Sequence, residues 1–246
     1  MKIISWSGQA GLILTVFSTV GYRVELLHFR LALLLLAAAL VVCCLVVLVE
    51  FVLLSSAAVK KRPLRLEYAL LAVCCAIGPC LTLYMVGIDG IRAPRIHDIT
   101  TDTVNPAKFI FTREDEGFRE NSLVYGADQL SAEQVTAIQR EAYPYISTVT
   151  VQLAARKVYQ KALFVGSLLG WKISSKDASI LQFEAQTITP LFGFVDDIVV
   201  RIAALDEHSS TIDIRSVSRV GVTDLGANAK RIRLFFNKLE QELIIL

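Results

Sequence analysis

The sequence predicts two parts in series: an α-helical transmembrane segment of three spans, then an α+β two-layer sandwich with an antiparallel four-stranded sheet. Three observations carry this. Residues 3–22, 31–49 and 68–88 form three apolar stretches that contain no charged side chain. Past Asp89 the composition changes to mixed charges, turn residues and short apolar runs. Within that remainder, four segments of alternating polarity lie between two stretches of helical period.

The chain is 54% hydrophobic and 20% charged, too apolar to be soluble throughout. At 1.5 Å per residue, about twenty residues cover the roughly 30 Å of a bilayer's hydrocarbon core, so spans are expected at about 4–22, 31–54 and 67–88 within a transmembrane domain of residues 1–90. The first is the most polar, with Trp6, Ser7, Gly8, Gln9, Ser18 and Thr19, and a signal peptide is its competing reading. No small-x-small cleavage pattern lies near Val20, however. Lys60, Lys61, Arg62 and Arg65 crowd the loop between the second and third spans, which the positive-inside rule makes cytoplasmic. The amino terminus is then also cytoplasmic, and the third span delivers the remaining chain outside an inner membrane, into the periplasm of a Gram-negative cell. Glu50, near the inner end of the second span, either reaches the interface or is an intramembrane functional group. All five cysteines (Cys43, Cys44, Cys74, Cys75, Cys80) lie in the second and third spans, where small polarisable side chains pack well between helices.

Residues 91–149 read as a connector with a short helix. Ser131 to Gln134 has the form of a capping box, and Val135, Ile138 and Ala142 follow at helical spacing, so that helix is expected over about 132–142. The α+β domain, residues 150–246, opens with a helical stripe of Val151, Ala155, Val158, Ala162, Val165 and Leu169, closed by Gly170. Strands are expected at 171–176, 180–187, 197–204 and 211–220, joined by turns short enough for antiparallel hairpins. A last helix over about 227–243 carries Ile232, Phe235, Phe236, Leu239 and Leu243 on one side.

Alternation assigns the faces. Trp171, Ile173, Leu181, Phe183, Ile198, Val200, Ile202, Ile212 and Ile214 should meet the helices, leaving Lys172, Gln182, Glu184, Asp197, Arg201, Asp213, Arg215 and Arg219 on the other side. Two readings of that charged face stand. One is a solvated surface laced with cross-strand ion pairs. The other is a recognition surface, covered by the connector or a partner, where Arg201, Arg215 and Arg219 bind an anion or carboxylates through their planar forks. On the second reading Arg201→Ala and Arg215→Ala remove binding and leave folding intact.

Several strings resemble a known family. His97 to Asp102 with Asn105-Pro106, then Tyr143-Pro144, Gly170-Trp171, Phe192 to Asp197, Asp213 to Gly221, Asp224 to Ala229 and Arg231 to Arg233 resemble the bacterial domain-of-unknown-function family 1499. The resemblance covers nearly all of residues 95–240. It implies an envelope or organelle-lumen domain, often behind membrane spans, without an established activity. This chain departs in having Tyr145 where an acid commonly follows Tyr-Pro.

Specific chemistries are poorly served. His97, Asp98 and Asp102 offer a nitrogen and two oxygens, a thin set for a metal, and turn hydrogen bonds that dock the connector are the expected role of Asp98 and Thr100. Asp196 and Asp197 are strand neighbours and point to opposite faces, a poor carboxylate pair for glycoside chemistry. The globular part has no cysteine and no Gly-x-Ser-x-Gly, and its glycines form no phosphate loop. A net charge of +2 argues against nucleic acid as partner, and no cofactor is expected. The expectation is an envelope binding or interaction module, with Arg201, Arg215, Arg219, Asp197, Asp213, His97 and Asp98 as binding candidates and the bilayer, another envelope protein or a small anion as partners. The alternatives are a membrane-surface enzyme using His97 with Asp98 or the Asp196/Asp197 region, and an assembly or stability factor for a membrane complex.

Overall fold

The computed structural model describes residues 2–60 and 66–244, so Lys61, Arg62 and Arg65 of the basic loop lie outside the described residues. The chain divides into two units, residues 1–88 with 190–193 and residues 89–189 with 194–246.

The first unit contains α1 (Lys2–Arg23), α2 (Phe29–Val59) and all but the last three residues of α3 (Leu66–Ile91). Small residues let the helices approach. A Cβ added at Gly8 would meet Leu71 Cδ1 at 3.0 Å, and one at Gly11 would meet Cys43 Sγ at 2.9 Å. The hydroxyls of Thr15, Ser18 and Thr19 return to carbonyls one turn back, which satisfies them within α1. Glu50 points inward and is fully buried. Among the described residues neither of its carboxylate oxygens has a hydrogen-bond partner.

Of the three expected spans, the described structure supports one. By length and composition one described helix, α2, can cross a membrane, a property that an anchor and a signal sequence share. Polar side chains dilute α1, the apolar run of α3 is only Ala69–Thr82, and helical geometry breaks at Gly87, whose φ is +68°.

The second unit contains β1 (Asp98–Thr100), α4 (Ala132–Ala142), β2 (Val149–Val151), α5 (Ala155–Leu168), β3 (Lys172–Asp177), β4 (Gln182–Ile188), β5 (Val195–Ala204), β6 (Ser210–Ser218) and α6 (Ala227–Ile244). The Ser131/Gln134 capping box forms and starts α4 where expected. β3 to β6 make the expected antiparallel meander, but the sheet has six strands, because β1 and β2 both pair with β6. Three-residue strands are too short for alternation to register in sequence. β2 also displaces the start of the helix: Val151 pairs with Ser210, and α5 begins only at Ala155. Together the two short strands cover the edge that β6 would otherwise expose.

α5 and α6 cover one face of the sheet. Val158, Ala162 and Val165 of α5 and Ile232, Phe235 and Leu239 of α6 form a core with Phe183, Ile198, Val200, Ile212 and Ile214, and Trp171 stacks on Phe235 at 5.2 Å between ring centroids. The other face is not a solvated surface. Gln182, Glu184, Asp197, Asp213, Arg215 and Arg219 are buried there, beneath residues 101–121 of the connector.

Candidate functional site

Alternation places Asp197 and Arg201 of β5, Asp213 and Arg215 of β6, and Arg219 just beyond β6 on one face, and the connector supplies most of what they lack. The sequence candidates sort into three arginine–carboxylate pairs. Arg215 binds Asp98 through both edges of its fork, Nε to Oδ1 at 2.9 Å and Nη2 to Oδ2 at 2.7 Å. Its guanidinium lies 5.4 Å from the ring centroids of both Phe109 and Tyr125. Arg219 binds Asp197 the same way, at 2.8 and 2.7 Å, and donates Nη1 to the Glu116 carbonyl at 2.9 Å. The Asp197 contact holds the Arg219 guanidinium protonated beyond its ordinary range. Arg201 Nη2 reaches Asp213 at 2.9 Å and Asp102 at 3.2 Å.

Two further residues complete this layer, and the sequence reading missed the first of them. Arg119, from the irregular connector, donates Nη2 to Asp197 at 2.7 Å, so one fully buried carboxylate serves two guanidiniums. Glu184 was placed on this face, but its partners were not foreseen: its carboxylate accepts the successive backbone amides of Ile110, Phe111 and Thr112, at 2.6, 3.1 and 2.6 Å. No local pattern in residues 101–121 announces either contact.

On the helix side, at the start of α6, Arg231 donates to Asp196 at 2.6 Å and to Ser216 and Asn228. Asn228 in turn donates to the His97 carbonyl at 2.9 Å and to Ser218 at 3.0 Å. Asp196 and Asp197 thus face opposite ways, as their strand spacing requires.

Asp224 accepts the amides of Gly226 and Asn228. Desolvation, with Asp196 adding to it, nevertheless pushes its carboxyl up to about 6. A folded-state pKa above the ordinary 3.8 means that the protonated form favours folding. The contribution, on the order of 1–3 kcal/mol, is full below about pH 4 and is lost as pH rises through about 6. Asp224→Asn is expected to remove this component while keeping an acceptor at the helix start. Melting temperatures of both proteins between pH 4 and 7 check it, because their difference should change across that window. A pH-independent difference would contradict the assignment.

His97 stands apart from the arginine pairs. Its Nε2 lies 2.9 Å from Asp128 Oδ2, and both side chains are partly exposed. They line a cavity of about 40 Å³ together with Arg95, Ile96, Asp98, Gln129 and others. Asp98 is committed to Arg215, and Asp102 takes Arg201 and the amides of Val104 and Asn105. The three residues weighed for a metal therefore serve three different partners, and among the described residues no cluster of three His, Cys, Asp or Glu could hold an ion. The cavity lining includes no hydroxyl or thiol side chain.

The matched strings run through this layer, from Asp98 on β1 to the end of the α6 core. The family profile described as "Protein of unknown function (DUF1499)" matches residues 98–239. The chain belongs to the DUF1499 family. No curated protein matches it. The DUF1499 match begins at Asp98, the partner of Arg215, so the whole charged layer falls inside the family domain and α1 to α3 fall outside it.

Proposed function

We propose that this DUF1499 protein is a membrane-anchored interaction module of the cell envelope, with three spans, a cytoplasmic amino terminus and the sheet domain outside. The basic cluster Lys60 to Arg65 supports the orientation, and the charge-free stretches in α1 and α3 support spans beside α2. The observation that carries the interaction reading is how the domain disposes of its charges. The arginines and acids of its sheet face are consumed beneath the connector, and what stays accessible beside β1 is His97–Asp128 with Arg95, around a small cavity that offers hydrogen-bonding groups and no hydroxyl or thiol side chain. Such a set recognises a partner's polar group without attacking it.

A photo-crosslinking side chain at Gln129, in the full chain expressed in its membrane, tests this. One discrete adduct is expected, absent when the crosslinker stands at Lys176 on the edge strand and reduced about tenfold, the equivalent of 1.4 kcal/mol, by His97→Ala. Identical patterns from both positions would contradict the reading.

A further inference from the structure

The helix layer carries a second charge pattern, unlike that of the covered sheet face. α5 contains Arg156, Lys157 and Lys161 and no acid. Its solvent side adds Phe164 and Leu168, 53% and 52% exposed and one turn apart. On α6, which packs beside α5, Lys230 and Arg233 are exposed next to Leu234. None of these five cations has an ion-pair partner among the described residues. On and around the sheet, by contrast, Arg119, Arg201, Arg215, Arg219 and Arg231 are each spent on a carboxylate.

Unopposed cations beside an exposed aromatic and leucines suit a partner that supplies negative charge and apolar depth together. A bilayer surface with anionic headgroups does so, and helices of this composition lie in it with their apolar side chains at the acyl boundary. A second copy of the chain would set like charges face to face. We propose that the outer face of α5 and α6 docks on anionic lipid headgroups of the membrane that anchors the chain. Its lysines and arginines meet phosphates, and Phe164 and Leu168 enter the boundary below them. The proposal rests on the membrane-anchored reading. Only residues 92–97 join α3 to β1, and so short a tether lets weak headgroup contacts suffice.

Lysine acylation of the full chain in nanodiscs, read by mass spectrometry, tests the docking. With phosphatidylglycerol in the disc, Lys157, Lys161 and Lys230 should react several-fold more slowly than in phosphatidylcholine alone, and high salt should restore their rates. Exposed Lys172 and Lys176 on β3 are the internal controls and should not change. Equal rates in both lipids overturn the proposal. So does protection in both lipids that grows with protein concentration, which would mark a protein partner. Incorporation into the disc reads the anchor and the lysine rates read the docking, so the two readings fail separately.

Discussion

Replacing Asp197 by alanine is expected to leave the sheet domain without a cooperative unfolding transition. The carboxylate is fully buried and accepts three hydrogen bonds, one from Arg119 and two from Arg219. Removing one partner of a buried pair typically costs about 3–5 kcal/mol, because the remaining charge keeps its desolvation and loses its compensation. Here two guanidiniums are stranded at once, and the loss approaches the roughly 5–15 kcal/mol by which whole domains are stable. Asp197→Asn keeps a single carbonyl acceptor and should fall between the two. Thermal scans of the full chain in detergent, followed by near-ultraviolet circular dichroism, read the outcome. An alanine variant that melts within a few degrees of the parent would refute the buried-cluster account.

Arg215→Met is the second large effect. Arg215 is 1% exposed, so methionine fills much of its volume but leaves Asp98 buried without its fork and removes the cation between Phe109 and Tyr125. A cost of about 3–5 kcal/mol follows from the stranded carboxylate. At roughly 2–4 °C per kcal/mol for a domain of this size, the melting temperature should fall by about 10 °C. Arg215→Lys should rescue little, because a point charge cannot replace two parallel N–H donors. The recognition reading predicts the opposite, lost binding with an intact fold. Arg201 discriminates less sharply, since its side chain is 23% exposed and its Asp102 contact is partly solvated, so Arg201→Ala should cost only about 1 kcal/mol.

Much of this fold was legible because its signals are local. The inward set from Trp171 to Ile214 follows from alternation alone, and the Ser131/Gln134 box placed α4. The same alternation gathered Asp197, Arg201, Asp213, Arg215 and Arg219 on one face, and all three arginines found acids there or on β1. What failed was non-local. β1 and β2 exist because β6 offers an edge, and neither Asp98–Thr100 nor Val149–Val151 has the length to declare itself. The cover over the charged face is an irregular segment held by Glu184 and Arg219 through backbone amides and a backbone carbonyl, and backbone groups leave no residue pattern. Arg119 is one of two arginines in that segment, and only the fold selects it for Asp197. In the helical unit, lack of charge was a sound guide to helix position, whereas capacity to cross a bilayer also depends on polar dilution and backbone breaks, as at Gly87.

The central claim is that residues 101–121 close the charged face as part of the folded domain. Amide hydrogen exchange at Ile110, Phe111 and Thr112 tests it most directly, because their donors end on the buried Glu184 side-chain carboxylate rather than on a strand's backbone carbonyls. The account predicts exchange as slow as that of β5, lost in Glu184→Ala. Exchange at the rate of an open loop in the unmodified chain would contradict it.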